Sequence, residues 1–535
     1  MPARPGPRAG RAGERGPMRT DQARTIAELP DFFNAAEDLL AHNLAEQPDK
    51  VAIIDIHGTC TYRELADRVA RMASVFQTLG VRRDQRVLVC LTDTRDFPTV
   101  FLGAIRAGVV PVALNTLLTE DDYSWILHNS GAVAVFVSEE LADKWRDVAA
   151  SEPHVRFVSS EGNSWLNLET LLRGAEPAIE PAKTHRDDVA FWLYTSGSTG
   201  RPKGAMHIHA SMRLTANLYG LGTAGYRKDD VVLSIAKQFF AYGLGNALTF
   251  PYAAGATVVL YNGRATPEPI SKLVRDHKVS VLGGVPTFLA GWLAHPSCPS
   301  HEEAPALRMA TSAGEALPAH IARAFRERFN ADVLDGLGST EMLHIFVSQR
   351  PGEVRFGCTG RVVDGYKVRL INDLGDEASP GEIGNLQICG PTTAIGYWRN
   401  REKSIVSFQG EWTVSGDKYV MDEEGWLTYA GRADDMLKVG GIYVSPIEVE
   451  EALASHPDVL EAAVIGAEDA DALVKPHAYV VVHNGVVPDD ALADRLKAHV
   501  KDHLAPFKYP RWITFVDELP KTATGKIQRF QLRND

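Results

Sequence analysis

The chain has 535 residues, of which 45% are hydrophobic, 23% charged and 8% aromatic, with a formal net charge of −12. That much apolar surface excludes a fully disordered chain, and the acidic balance ranks dedicated nucleic-acid binders low. No apolar run approaches the roughly 18 residues of a membrane span, since the longest, Val109–Leu114, is interrupted by Pro111.

In chain order, residues 1–25 read as a disordered tail. The stretch is rich in Pro and Gly and carries Arg4, Arg8, Arg11, Arg15 and Arg19, with no apolar segment behind it to make a secretory signal. Met18 is a second candidate start. From Ile26 onward short β-branched runs alternate with helical ones: strand Val51–Asp55, helix Thr61–Leu79 stopped by Gly80, strand Arg86–Leu91, helix Asp96–Ala107 closed by Gly108. Further strands follow at Ala132–Val137, Val189–Thr195, Val231–Ile235, Thr257–Leu260, Val279–Leu282 and Arg308–Thr311, with a helix at Pro318–Phe329. The expected fold is α/β, a large N-terminal body of layered sheets and helices. Between Gly357 and Gly410 the runs shorten and predict a small β-barrel-like region or a distorted sheet. The last hundred or so residues predict strands Val459–Ile465, His477–Val482 and Trp512–Val516 around a helix Asp489–Leu504, a small mobile α+β domain. The domain expectation is tail 1–25, body 26–433 and lid 434–535. Five cysteines, Cys60, Cys90, Cys298, Cys358 and Cys389, are never spaced as a C-x-x-C pair, which fits a reducing cytoplasm better than a disulfide framework or zinc site.

The chemistry is densest at Tyr194-Thr-Ser-Gly-Ser-Thr-Gly-Arg-Pro-Lys-Gly204, between an apolar strand and a stretch expected to turn helical near Ala205. Thr195, Ser196, Gly197, Ser198, Thr199 and Gly200 offer backbone N–H groups and small hydroxyls without bulk, and Lys203 adds a point charge, a combination suited to a polyphosphate beside a helix N-terminus. Pro202 stands where a Walker loop requires glycine, so an ordinary P-loop ATPase is excluded. The rival reading is a flexible Ser/Gly linker.

This loop resembles the phosphate loop of the adenylate-forming superfamily, which includes acyl-CoA synthetases, luciferases and peptide-synthetase adenylation domains. Five more segments look like that superfamily's motifs, in the right order: Ser312-Ala-Gly-Glu-Ala-Leu-Pro318, Gly336-Leu-Gly-Ser-Thr-Glu341, Ser415-Gly-Asp417, Gly431-Arg-Ala-Asp-Asp435 and Pro520-Lys-Thr-Ala-Thr-Gly-Lys526. The resemblance implies that Gly314, Glu315, Asp335, Gly336 and Leu337 hold adenine, and that Asp417 and Arg432 take the ribose and phosphate. It implies that Thr340 and Glu341 form the catalytic loop, Glu341 holding Mg2+, and that Asp434 is the hinge. Lys526 would approach the α-phosphate and the carboxylate. Leu337 departs from the aromatic residue that many relatives place against adenine. Phe239-Phe-Ala-Tyr-Gly-Leu-Gly-Asn246 and Glu341-Met-Leu-His-Ile-Phe346 most closely resemble the benzoate–CoA ligase branch. There Phe240, Ala241, Tyr242, Gly243, Gly338, His344 and Ile345 would line a flat apolar acyl pocket, with simple core packing as the rival for the first string and for the histidine. Lys438, Gly440 and Gly441 would line a narrow pantetheine tunnel.

The expected activity is an ATP-dependent, AMP-forming aryl acid–CoA ligase. Its partners would be a small aromatic acid such as benzoate, ATP and CoA, with no nucleic acid and no membrane, in an assembly compatible with a homodimer. The alternative loads the aryl acid onto a carrier-protein phosphopantetheine.

Overall fold

The computed structural model describes residues 20–197, 200–432, 436–439, 442–469, 474–504, 508–521 and 527–532. Two mainly parallel sheets dominate the body. The first orders its seven strands Leu166–Asn167, Arg156–Ser159, Ala134–Val137, Arg86–Cys90, Val110–Ala113, Val189–Gly197 and Gly200–Ile208. The second has nine, running from Arg361–Val362 through Ile345–Ser348, Asp332–Gly338, Met309–Ser312, Val281–Gly284, Val231–Ser234, Thr257–Val259 and Val51–Asp55 to Gly58–Thr61. Their parallel strands are almost wholly buried, as expected where helices cover both faces.

Local signals explain the helices. Thr61 caps Tyr62–Thr78 by accepting from the Glu64 N–H, and Glu64 returns the bond to the Thr61 N–H at 2.7 Å. Leu65, Val69, Met72 and Phe76 form its buried stripe, and Gly80, at φ 76°, ends it. The helix Asp96–Arg106 packs against it so closely that a Cβ on Gly103 would stand 2.6 Å from the Met72 Cβ. Glycine at 103 is therefore a condition of that approach.

Two expectations are corrected. The stretch after Lys203 is a strand, Gly200–Ile208, antiparallel to Val189–Gly197, and the helix starts only at His209. Pairing decides this, with Trp192 opposite Met206, Leu193 opposite Ala205 and Tyr194 opposite Gly204. The phosphate loop is thus a β-hairpin, with no helix N-terminus at its end. The ordered body also begins before residue 26: Thr20–Gln22 is a helical turn, Ala23 is fully buried, and Asn217 Nδ2 donates to the Thr20 and Ala23 carbonyls, both at 2.8 Å. The region after Gly357 is, among the described residues, a five-stranded antiparallel sheet with paths Lys367–Ile371, Ile383–Cys389, Trp412–Met421 and Phe408–Gln409, and with Leu427–Arg432 also pairing with Trp412–Met421.

The C-terminal residues form an α+β unit, in which Val459–Glu468, Val474–Val482 and Trp512–Phe515 make a three-stranded sheet packed on the helices Pro446–Ala454 and Asp490–His503. All five cysteines are free. Among the described residues, no helix is long and apolar enough to cross a membrane.

Candidate active site

The hairpin places Thr195 opposite Lys203 and Gly197 opposite Gly200, so the loop residues sit at one tip of the first sheet. Ser198 and Thr199 lie outside the described residues, as do Asp434, Gly440, Gly441 and Lys526; of Lys438 only the backbone strand Leu437–Val439 is described. Lys203 Nζ lies 4.8 Å from the centroid of the Tyr397 ring. The Tyr397 hydroxyl donates to Glu341 Oε1 at 2.6 Å. Two strand positions on from Ala205, His207 Nε2 donates to the Thr340 carbonyl at 2.8 Å. Burial pushes His207 down to about 4, so the ring is neutral and this N–H is its one donor. Lys203, Thr340 and Glu341 are brought together by two residues, Tyr397 and His207, that the sequence motifs did not single out.

The donor set fits a hard cation. Glu341 is half-buried, and its carboxylate shares Tyr397 with Lys203. Among the described residues no three His, Cys, Asp or Glu cluster as a cage. A magnesium ion that keeps phosphate oxygens and waters needs only one or two protein carboxylates, and Glu341 can supply one.

Asp335, Gly336, Leu337 and Gly338 belong to the strand Asp332–Gly338, between Met309–Ser312 and Ile345–Ser348. Gly338 is sterically required, and Gly336 is tightly packed. A Cβ on Gly336 would stand 3.1 Å from Ile345 Cγ2, and one on Gly338 would stand 2.6 Å from the His344 carbonyl oxygen. Asp335 is 5% exposed, its Oδ1 has no partner, and burial holds its carboxyl well above the usual range despite N–H bonds from Gly336 and Leu317. Gly314 turns the preceding segment at φ 92°, and Glu315 accepts from Thr287 Oγ1 at 2.8 Å. Half-buried Leu337 packs on the second core. Asp417 and Arg432 are cross-strand neighbours bonded at 2.9 Å. Buried Tyr419 links the two clusters: burial first, then the Asp417 charge and more weakly that of Asp335, raise its hydroxyl.

The segment Phe239–Asn246 runs along the seam between two hydrophobic cores. Phe239 and Leu244 belong to one, with Phe240 and Ala241 packed on it, while Tyr242 packs on the other. Gly243 is forced, since its Cβ would fall 1.9 Å from the Lys237 carbonyl oxygen. Tyr242 and His344 stack at 5.5 Å and 28°, and Tyr219 and Phe250 hold the far side of the imidazole at 5.3 and 4.6 Å. Burial pushes His344 down to about 3. Its Nε2–H donates to the Tyr242 carbonyl at 3.2 Å, leaving Nδ1 as a lone-pair acceptor without a partner. A neutral ring in that state has no further N–H to offer a carboxylate. Behind it Tyr226 donates to Asn246 Oδ1 at 2.7 Å, and the Tyr242 hydroxyl meets Thr311 Oγ1 at 2.8 Å. Asn246 is fully buried; it closes the string singled out in the sequence but was not among the expected pocket residues.

The family model for AMP-binding enzymes matches residues 40–398, and that for the AMP-binding enzyme C-terminal domain matches residues 448–526. The chain is 53% identical over 511 residues to benzoate–CoA ligase of Thauera aromatica, covering 95% of this chain and 97% of that protein. It superposes on a benzoate CoA ligase from Burkholderia xenovorans with TM-score 0.88 at 49% identity, covering 94% of this chain and 100% of that one. It also superposes on the anthranilate CoA ligase AuaEII in complex with anthranoyl-AMP, with TM-score 0.90 at 38% identity, covering 95% and 98%. Since the first family model alone spans well over half of the sequence, this chain belongs to the AMP-binding enzyme family.

Proposed function

We propose that this protein is an AMP-forming aryl acid–CoA ligase that takes benzoate or a small substituted benzoate. The observation that carries the reading is the adjacency, on one catalytic loop, of Glu341 with its Tyr397–Lys203 neighbours and of the flat uncharged wall made by His344 with Tyr242. The acids in the names of the relatives, benzoate and anthranilate, are flat and of the size such a wall suits.

In the first step a carboxylate oxygen of the acid attacks the α-phosphorus of ATP, and the bond to the leaving pyrophosphate breaks. The hairpin tip and Lys203 hold the β and γ phosphates, and Lys526 meets the charge gathering between carboxylate and α-phosphate. Magnesium, held through Glu341, supplies charge neutralisation on the phosphates. Asp335, with its unpartnered oxygen, suits the adenine amino group; Gly314, Glu315, Gly336 and Leu337 flank the base, and Asp417 with Arg432 suits the ribose hydroxyls. Phe240, Ala241, Tyr242, Gly243, Gly338, His344 and Ile345 hold the aryl ring. In the second step the CoA sulfur attacks the acyl carbon, and AMP leaves with the anhydride oxygen. We infer that residues 434–535 pivot about Asp434 between the steps, so that Lys438, Gly440 and Gly441 replace Lys526 over the site. Five free cysteines suit a cytoplasmic enzyme, and a homodimer is compatible with the reading.

Acid-dependent ATP–pyrophosphate exchange across a panel of aryl and cyclohexyl acids, with and without CoA, tests this. The expected result is exchange with benzoate in the absence of CoA, and benzoyl-CoA once free CoA is added. Exchange without turnover of free CoA would favour carrier-protein loading, and no exchange with any aryl acid would refute the reading.

A further inference from the structure

Tyr397 is 5% exposed and has one group on each of its polar surfaces. Its hydroxyl donates to Glu341 Oε1 at 2.6 Å, a short charge-assisted bond, and its ring face receives Lys203 Nζ at 4.8 Å. The backbone around it is fastened on both sides. Ala394 N donates to the Glu341 carbonyl at 2.7 Å, Met206 N to Gly396 O at 3.1 Å, and Trp398 N to Gly204 O at 2.8 Å. Ser404 Oγ accepts from Tyr397 N at 3.0 Å, and Phe408 packs on the ring at 5.2 Å. The segment 394–398 therefore clips the strand of Lys203 to the loop of Glu341, and Tyr397 lies at its centre.

We propose that Tyr397 is a positioning residue of the adenylation step: its hydroxyl holds one oxygen of Glu341 so that the other faces the metal, while its ring keeps Lys203 beside the triphosphate. A glutamate has three side-chain torsions, and a carboxylate that must meet a hard cation at one distance gains from having them set beforehand. A lysine ammonium is a flexible point charge, and the ring gives it a resting place a few ångströms from its task. The proposal rests on the reading of this site as the nucleotide site.

The test uses the full-length protein, Mn2+ as the metal probe followed by electron paramagnetic resonance, and ATP binding in excess EDTA as a separate measurement. Tyr397→Phe keeps the ring and removes only the hydroxyl. It is expected to weaken Mn2+ binding to the protein–ATP complex by about tenfold or more and to leave metal-free ATP binding unchanged. In a Glu341→Gln background, where Mn2+ binding is already weakened, Tyr397→Phe is expected to add no further loss, because the hydroxyl acts through Glu341. Tyr397→Leu, which removes the ring as well, is expected to weaken metal-free ATP binding several-fold. Unchanged Mn2+ binding in Tyr397→Phe, or an equal loss in both backgrounds, would overturn the proposal and leave Tyr397 as packing. If the wild-type protein bound neither ATP nor Mn2+ with ATP, the nucleotide-site reading would fall and the positioning role with it.

Discussion

At the scale of single residues, the account turns on how little room surrounds His344. Its ring is held by Tyr219, Tyr242 and Phe250, and a Cβ on Gly245 would stand 2.3 Å from its Cδ2. The imidazole cannot move aside without breaking its bond to the Tyr242 carbonyl. Gly245→Ala should therefore push the wall into the acyl pocket. Steady-state kinetics should show kcat/KM for benzoate reduced by about 10–100-fold with ATP affinity unchanged, as expected from a displacement of about an ångström. A variant with wild-type kcat/KM for benzoate would mean that His344 is not part of the acyl wall. The residue types of this wall were legible in the sequence as an aromatic, glycine-rich, uncharged string. The role of the histidine was not, because a tautomer is set by the Tyr242 carbonyl, 102 residues away in the chain.

Among elements, the strand–helix alternation and the glycine stops at Gly80 and Gly108 were readable because each is a local signal. The hairpin of the phosphate loop was not. Ala205-Met-His-Ile-His209 contains good helix formers, and only pairing with Val189–Gly197 turns it into a strand. Tyr397 escaped for a similar reason. A Gly-Tyr-Trp sequence in a loop announces no chemistry, and its meaning comes from Glu341, 56 positions earlier. The packing of Tyr62–Thr78 on Asp96–Arg106 gives an element-scale test. Gly103→Ala should lower unfolding free energy by about 1–3 kcal/mol in urea titrations, since the new methyl group strikes Met72 in a full core. Combining it with Met72→Gly, which removes the Cβ that the new methyl group strikes, should cost less than the sum of the two changes. Strict additivity would show that the helices do not meet at Gly103.

Across the whole molecule, three buried histidines tie stability to pH. Burial pushes His207 and His209 down to about 4 and His344 to about 3. A histidine whose folded pKa lies below its unfolded value of about 6.5 contributes stability that is present above that pH and lost as pH falls toward the folded pKa, because the unfolded chain takes the proton first. Asp93 and Asp96, raised to about 6 by burial, act in the opposite sense as pH falls from 6. The histidine contribution is best isolated by comparing wild type with His207→Gln, which keeps a donor for the Thr340 carbonyl. Between pH 6.5 and 4 the wild type should lose stability relative to the variant by up to about 1.4 kcal/mol per pH unit in denaturant titrations. Parallel curves would show that His207 titrates normally. The same residue holds the backbone of the catalytic loop, so the neutral core and the site depend on one side chain.

The central claim is that a carboxylate oxygen attacks the α-phosphorus of ATP and is later released with AMP. Turnover of [18O2]benzoate with unlabelled ATP and CoA, followed by mass spectrometry of the products, tests it most directly. One 18O atom per turnover should appear in AMP and one should remain in benzoyl-CoA, with pyrophosphate unlabelled. Formation of ADP with labelled inorganic phosphate, or benzoyl-CoA accompanied by unlabelled AMP, would contradict it.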